Sequence, residues 1–530
     1  MTGSRDRYSA PSDDARAGWW FAGICAVTVL AYARSFTSPF EFDDYSAIVG
    51  SPAIQAGTID AILNFGRARL VPFTTLVWNY QLGGEDPFGY HLVNVAIHLL
   101  ATLAVYQLAL ALCRTPRLNC TWVAAQRVPL AVASAFIFAC HPIQIQAVTY
   151  VVQRMTSMAT LFYVASVVFY VRARNAQLGT GGGRPAVAVT LSVVSALAAF
   201  LSKESSASLP FAIITAEWIF FGGESTRRRL SRILPFVLLA LVIPLMWLAF
   251  GVRPGRSPGA SAGMSEQVNY LIGLLTFRAN PRGGASPLEY FLTQGQVIPA
   301  YLRLVILPFG FNIDHDVPIA RAISPAVLGG IALLGALLMV GLYSLRRAPL
   351  VAFGVLWLFI ALSVESSFLP ISDVMAEHRM YMAMPGVALV LGTAVAWAHA
   401  RWPIPTRAVG AVAVTLIVAL TLLRNEVWRS QVSLWEDALA KSPQKPRVYA
   451  NLGTALHLAG RGDEALTYYC KAIALDPKNH QVEANLQALE MERLENGSDD
   501  REVIMDGQPS GPDGEVEVTL PDPCHRDAKK

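Results

Sequence analysis

Charge is scarce in this sequence. Asp, Glu, Lys and Arg make up 15% of its 530 residues, against about 25% in ordinary soluble domains. Hydrophobic residues make up 53%, and the mean hydropathy is +0.41. These values exclude an ordinary soluble enzyme and, for the bulk of the chain, intrinsic disorder. The net charge of +4 is small for this length and argues against a nucleic-acid binder. Cysteine is also sparse. Its six residues are scattered, with no CxxC and no Cys/His cluster, so neither a disulfide framework nor a structural zinc site is expected. The glycine run Gly179-Thr180-Gly181-Gly182-Gly183 has no preceding strand and no Gly-Lys-Ser/Thr ending. It reads as a flexible linker rather than a phosphate loop. No nucleotide-sugar or ATP domain is visible, and no cofactor is expected.

What the sequence has is long apolar runs. A spanning helix needs roughly 20 mostly apolar residues. The runs that reach or approach this length are Trp19–Ala33, Leu92–Cys113, Val128–Cys140, Met155–Val171, Ala186–Leu201, Ser208–Phe221, Ile233–Phe250, Pro325–Leu345, Leu350–Ser363, Met380–Ala400 and Ala408–Leu423. About eleven spans are therefore expected. The run Val297–Phe309 is broken by Pro299, Arg303 and Pro308 and suits a re-entrant or interfacial helix. The fold class is all-α: a polytopic membrane helical bundle with a helical repeat at its C-terminal end.

Arginine placement sets the orientation. With a cytoplasmic N-terminus and no crossing by Val297–Phe309, the inner loops carry Arg114, Arg117, Arg127, Arg172, Arg174, Arg184, Arg227, Arg228, Arg229, Arg232, Arg346, Arg347, Arg401 and Arg407. The short outer loops carry Arg154, Lys203 and Arg379. The expected organisation is an N-terminal tail at 1–18 and a transmembrane domain at 19–425 with long outer loops at 34–91 and 251–296. A repeat region at 426–495 and an acidic disordered tail at 496–530 follow. Ala31-Tyr32-Ala33 has the small-x-small look of a signal-peptidase site, but the mixed charge ahead of it is atypical of a signal peptide.

Pro446–Asn479 fits a tetratricopeptide repeat, with Tyr449, Leu452, Gly453, Leu456, Ala465, Tyr469, Ala472 and Pro477 at the expected offsets. Trp435, Ala438 and Pro443 anticipate Tyr469, Ala472 and Pro477 at a spacing of 34 residues, and His480–Glu495 reads as one more first helix. A concave face bearing Tyr449, Asn451, Tyr468 and Tyr469 is the candidate surface for an acceptor polypeptide or partner. Glu426–Ala440 is expected to continue the last span rigidly into this region.

Polar residues gather at the outer ends of the spans. Phe40-Glu41-Phe42-Asp43-Asp44-Tyr45 puts two adjacent aspartates between aromatics just past the first span. Such a partly buried acidic pair suits a general base, and it equally fits a solvated acidic loop. His141 to Arg154, Lys203-Glu204, Asp314-His315-Asp316, Glu365 and Glu377-His378-Arg379 fall on the same outer side. Each alone also fits an interfacial anchor. Together, cations beside a carboxylate pair suggest a site that binds an anionic lipid head group and activates a hydroxyl. His98, on an apolar span, reads as a packed helix residue rather than a ligand.

The ordered set Phe42-Asp43-Asp44, Gly83–Asn94, His141-Pro142 through Arg154, Ser202-Lys203-Glu204, Asn312–Asp316 and Glu377–Tyr381, with the C-terminal repeat, resembles the transmembrane-and-tetratricopeptide protein O-mannosyltransferases. It also resembles their bacterial tetratricopeptide-containing relatives, within the GT-C glycosyltransferase class. The resemblance covers most of residues 19–495. It implies a sugar donor on a polyprenyl or dolichyl phosphate and inverting transfer, often to Ser or Thr hydroxyls, on the outer face. It implies Asp43 as the catalytic base, with Asp44 where relatives carry a glutamate. Arg154, Lys203 and Arg379 become candidates to hold the donor phosphate. His141, Glu204, Asp314, Asp316, Glu377 and His378 become candidates to contact or support substrate. Gln146 stands where relatives often carry a glutamate. A carboxylate–phosphate metal bridge through Asp43, Asp314 or Asp316 is conceivable chemically, but no metal site is assigned.

The partners implied are membrane lipid, the lipid-linked sugar and an acceptor protein or glycan. The location implied is a bacterial inner membrane with the active face and the repeat in the periplasm. An oligosaccharide ligase or polymerase on the same fold, and a non-catalytic scaffold, stay open as alternatives. A transporter is weaker, because no inverted repeat or paired broken helices are visible.

Overall fold

The computed structural model describes residues 12–66, 69–250, 285–495 and Cys524. Among them every regular element is helical. The chain divides into two compact units, residues 1–311 with 317–429, and residues 312–316 with 430–530.

In the first unit, α1 (Ser12–Ala31) leads into a layer of short helices, α2 (Pro52–Ala56), α3 (Ile59–Gly66) and α4 (Leu70–Gly83). The first long outer loop is therefore a structured layer. Phe40, Ile48, Ile54, Leu76, Val77, Tyr90 and Val151 form its apolar core. There follow α5 (Pro87–Cys113), α6 (Trp122–Ala125), α7 (Arg127–Cys140), α8 (Ile145–Val148), α9 (Arg154–Gln177), α10 (Pro185–Phe200), α11 (Leu209–Phe220), α12 (Thr226–Ala240) and α13 (Val242–Phe250). After the undescribed residues come α14 (Pro287–Ile306), α15 (Pro325–Arg347), α16 (Pro349–Leu362), α17 (Met380–Arg401) and α18 (Pro403–Val427). Prolines at the first turn open α5, α10, α14, α15, α16 and α18, where a missing N–H costs nothing and the fixed φ already suits a helix.

Among the described residues, six helices are long and apolar enough to cross a bilayer, or seven if the bent pair α7 and Pro142–Val148 is one span. Gly18–Ala31, α10 and α16 are shorter apolar helices. The chain is thus an integral membrane protein. Fewer helices reach full spanning length than the eleven expected, because several of the apolar runs are themselves short: Ser208–Phe221 becomes α11, of 12 residues. The stretch containing α9 is 78% buried, whereas those of α15 and α18 are 11% buried and turn apolar side chains outward. Sequence explains this contrast. α9 carries Arg154, Thr156, Ser157, Thr160, Ser166, Arg174 and Asn175, all buried, and these polar groups need protein partners rather than lipid.

Helices α16 and α17 pack closely through glycine: a Cβ on Gly354 would collide with the Gly386 carbonyl oxygen. The run Val297–Phe309 is not a short element. As far as Ile306 it belongs to the 20-residue α14, which starts earlier because Ser286 and Glu289 form a capping box; Leu307–Phe309 lie past the helix end. The described part of the 251–296 loop is accordingly helical from Pro287, and the rest lies outside the described residues.

The two ends of the unit differ. At one end Arg117 donates to the carbonyls of Ile219 (2.7 Å) and Leu345 (2.5 Å). Arg174 there donates to Glu217 at 3.0 Å and Glu224 at 3.2 Å. This is the arginine-rich end expected from the loops. At the other end, Asn425 near the end of α18 donates to the Ala31 carbonyl (3.1 Å) and accepts from Thr149 (2.8 Å).

The second unit comprises α19 (Gln431–Lys441), α20 (Pro446–Leu458), α21 (Gly462–Leu475) and α22 (His480–Glu495). α18 does not continue into it: the helix stops at Val427, and Ser430 caps α19 in a box with Ser433. Gly453 lets α20 and α21 approach, because a Cβ there would lie 2.7 Å from the Tyr469 ring. Cys470 of α21 is disulfide-bonded to Cys524. Their separation of 54 residues carried no signal in a sequence with scattered cysteines. The N-terminal tail up to residue 11 and the 496–530 tail apart from Cys524 lie outside the described residues.

Candidate functional site

The end of the first unit that carries Asn425 holds the acidic pair. The chain leaves α1 through a turn in which Phe42 takes a positive φ of 48°, an unfavourable conformation for a bulky residue. That turn separates the two aspartates. Asp44 points inward and is 1% exposed. Its carboxylate accepts the backbone N–H groups of Val152 (2.7 Å) and Glu41 (3.1 Å). Burial pushes its carboxyl up to about 7, against the pull of those N–H donors. Asp44 is a clip between the turn and the Val151–Gln153 segment.

Asp43 faces outward and is exposed. Its backbone N–H donates to Tyr150 Oη at 2.9 Å, and the phenol also hydrogen-bonds its carboxylate. Tyr150 is buried, packs against Phe42 and Trp428, and has a phenol held well above its usual range by burial and the two aspartates. Neighbouring Glu41 is buried with both carboxylate oxygens unpartnered, and burial, then Asp44, raise it well above the carboxylate range.

A network of charges lies beside the pair. Arg69 makes a two-pronged ion pair with Glu204 at 3.0–3.2 Å and feels the charge of Asp43. Its side chain is 37% exposed. Lys203 donates to Glu365 (2.8 Å) and Thr156 (3.0 Å). Burial pushes the Lys203 amine down, partly offset by Glu365. For Glu365, burial raises the carboxyl, but Lys203, Arg379 and Arg69 outweigh it and hold it below the usual range. In Glu204, Arg69 likewise outweighs burial. Arg379 donates to the carbonyls of Val374 (3.0 Å) and Asp373 and to Tyr290 Oη (3.2 Å). His378 sits among Lys203, Arg379 and Arg69, with Nδ1 lacking a partner. Its backbone N–H donates to Gln146 Oε1 at 2.8 Å, so Gln146 ties this turn to the His-Pro segment.

Other expected site residues have different surroundings. Arg154 is 0% exposed. Its guanidinium is enclosed by Asn94 (2.7 Å), Asn79 (2.6 Å), Thr75 (3.2 Å) and the Tyr90 carbonyl (2.9 Å). These bonds staple α4 and α5 to α9, and no face of the group is open to a phosphate. His141 is buried: Nε2 meets the Val305 carbonyl at 3.0 Å, and Nδ1 accepts the Ile143 N–H. It is a capping group. Glu377 is 2% exposed. His98 bonds Tyr381 (2.7 Å) and the Ala139 carbonyl (2.8 Å), as a packed helix residue does.

Asp314 and Asp316 fall in the second unit. Asp314 is clamped by Arg447 (2.8 Å) and Lys445, which hold its carboxyl low despite burial. Asp316 is exposed. Among the described residues no three His, Cys, Asp or Glu side chains converge on a metal position. In the same unit Tyr469 is fully buried against Gly453. It belongs to the core of the helical pair rather than to an open groove. Tyr449 and Tyr468 are half-buried, 6.3 Å apart between ring centroids. Asn451 keeps its amide nitrogen unpartnered.

Arg69 and Tyr150 did not stand out in the sequence. Arg69 lies in a loop with no partner nearby in sequence. Tyr150 is one aromatic among many, and its place four residues before Arg154 carries no motif.

The comparisons extend over nearly the whole chain. It is 24% identical over 534 residues to the protein O-mannosyl-transferase Tmtc3 of Drosophila melanogaster, covering 89% of the chain and 56% of that protein. It is 24% identical over 518 residues to human protein O-mannosyl-transferase TMTC1, covering 89% and 57%. Human protein O-mannosyl-transferase TMTC4 is 25% identical over 491 residues, covering 85% and 66%. The chain is similar to the protein O-mannosyl-transferases. It spans somewhat more than half the length of these curated relatives. No family model matches it, and no solved structure matches it.

Proposed function

We propose that the chain is a membrane glycosyltransferase of the GT-C type. It moves a sugar, mannose by analogy with the names of its relatives, from a polyprenyl-phosphate carrier to a protein Ser or Thr hydroxyl, with inversion. The observation that carries this reading is the split between the two aspartates. Asp44 is locked inward as a clip, while Asp43 is exposed, held by Tyr150, and close enough to Arg69 to act on its charge.

The chemistry follows from that arrangement. Asp43 accepts the acceptor hydroxyl proton as the oxygen attacks the anomeric carbon. The bond to the carrier phosphate breaks, and the phosphate leaves as a stable anion that needs no general acid. A single carboxylate therefore suffices, whereas a glycosidase uses two. Arg69, the most exposed cation of the network, is placed to meet the leaving phosphate, with Lys203 and Arg379 behind it supplying positive potential. Arg154 holds α4, α5 and α9 in register and so positions the layer that carries Arg69.

The site is assigned to the periplasmic side of a bacterial inner membrane. The arginine-rich end is then cytoplasmic, as the positive-inside bias requires. The Cys470–Cys524 disulfide suits an oxidising compartment for the second unit. That unit is read as a tetratricopeptide module offering Tyr449 and Tyr468 to an acceptor polypeptide. The test is the intact mass of envelope proteins from cells with the wild-type protein, with Asp43→Asn and with none. Loss of one hexose increment in both defective strains is expected. An unchanged mass spectrum in the null strain, with the protein made, would sink the reading.

A further inference from the structure

At the arginine-rich end, remote from the aspartate pair, the first unit has a cavity of about 300 Å³ between α9 and α10. Its floor and walls are apolar, from Phe169, Ala176, Val187, Ala188 and Leu191, and its rim carries Arg172 and Arg184. No carboxylate lines it. Arg172 donates to the neutral Gln107 amide oxygen at 2.5 Å, and the charge it feels nearby is Arg114, a second cation. The cationic rim therefore has like charge beside it and no acid among its lining residues.

Two further features shape the wall. The first turn of α10 begins at Pro185, and its N-cap residue, Arg184, contributes no capping side chain. The orphan N–H groups and positive dipole end of that turn thus sit at the rim. Below the rim, Val187, Leu191 and Val194 of α10 are exposed, so the apolar wall runs on into the bilayer-facing side of the helix.

We infer that this cavity is a binding site for an anionic phospholipid, with the phosphodiester head group on Arg172 and Arg184 and an acyl chain along Phe169, Val187 and Leu191. A soluble phosphate would use the rim alone and leave the apolar walls wet. A zwitterionic lipid would fill the walls but bring its own cation to an already cationic rim. The match is to a lipid with net negative charge, as basic pockets between spans on the cytoplasmic side recognise. Occupancy would brace α9, whose other end starts at Arg154.

The test uses the full-length protein in detergent with added phosphatidylglycerol, read by native mass spectrometry. Phosphatidylcholine and inorganic phosphate are the comparison probes. Retained phosphatidylglycerol should exceed phosphatidylcholine, and inorganic phosphate should not displace it. The Arg172→Gln/Arg184→Gln double variant should bind phosphatidylglycerol about tenfold more weakly or worse. Ala188→Trp, which fills the cavity with the arginines intact, should lose the lipid as well. Arg346→Gln/Arg347→Gln, at the same end but outside the cavity, should bind as the wild type does. Equal retention of both lipids, displacement by inorganic phosphate, or an unaltered Ala188→Trp variant would each overturn the proposal. Melting temperatures of the lipid-free variants establish that each is folded.

Discussion

Replacing Asp44 with asparagine should change how stability depends on pH, not only its level. The carboxyl is raised from 3.8 to about 7 in the native state, chiefly by burial. A group raised in this way contributes stability below its unfolded value and loses it as pH climbs through the folded one. The window is therefore about pH 4 to 7. A displacement of that size corresponds to about 4 kcal/mol of native-state cost at pH 8 relative to pH 4. The side chain is 1% exposed, so solvent does not screen this figure away. Glu41 is raised partly by the Asp44 charge, and the substitution relieves it in the same direction. The amide accepts one N–H and presents its NH₂ to the other, a loss of about 1–2 kcal/mol at every pH. Near pH 4 the variant should thus be the less stable protein, by about 1 kcal/mol. By pH 8 it should be the more stable one, by about 2–3 kcal/mol. Unfolding of detergent-solubilised protein, followed at both pH values, measures this difference. A variant-minus-wild-type gap equal at pH 4 and pH 8 would refute the burial argument.

Three further outcomes follow from the geometry. Arg154→Gln should cost about 3 kcal/mol or more, because Asn94, Asn79 and the Tyr90 carbonyl lose their donor inside the protein; denaturant titration in detergent reads it. Tyr150→Phe should fold, lower kcat about tenfold with little change in KM, and shift the acidic limb of the pH–rate profile upward, since a donor to the Asp43 carboxylate is lost; an unmoved limb would remove Tyr150 from the mechanism. Gly453→Ala should destabilise the second unit by about 1–3 kcal/mol through its clash with Tyr469. Adding Tyr469→Leu should recover part of that loss, which limited proteolysis of the α20–α21 pair would reveal.

Helix identity was legible because it rests on local composition. Apolar runs and arginine-rich loops mark the helices and the polarity of the first unit with no tertiary information. The Phe42-Asp43-Asp44 segment stood out as a candidate site for the same reason. The division of labour inside it was not legible. A positive φ at Phe42 sends adjacent aspartates in opposite directions, and no residue pattern announces that. Arg154 reads in sequence as a phosphate ligand because only its charge is visible there. Its four neutral acceptors come from α4 and α5, 60 to 79 positions away. Asp314 reads as an outer-face carboxylate until Lys445 and Arg447 are seen to clamp it. Arg69 was hidden for the converse reason: its partner Glu204 lies 135 residues on. Tyr469 fits the repeat spacing equally well as a groove or a core residue, and only the contact with Gly453 decides.

Asp43, not the buried Asp44, is the group that removes the acceptor proton in the proposed sugar transfer. The most direct test is single-turnover transfer by the purified full-length protein in lipid nanodiscs, with a synthetic polyprenyl-phosphate mannose and a Ser/Thr-rich acceptor peptide. The wild type should add one hexose to the peptide. Asp43→Asn should fold with an unchanged melting profile and slow transfer by about 10²–10⁴-fold, the usual contribution of a general base. An Asp43→Asn protein that transfers mannose within a few-fold of the wild-type rate would contradict the account.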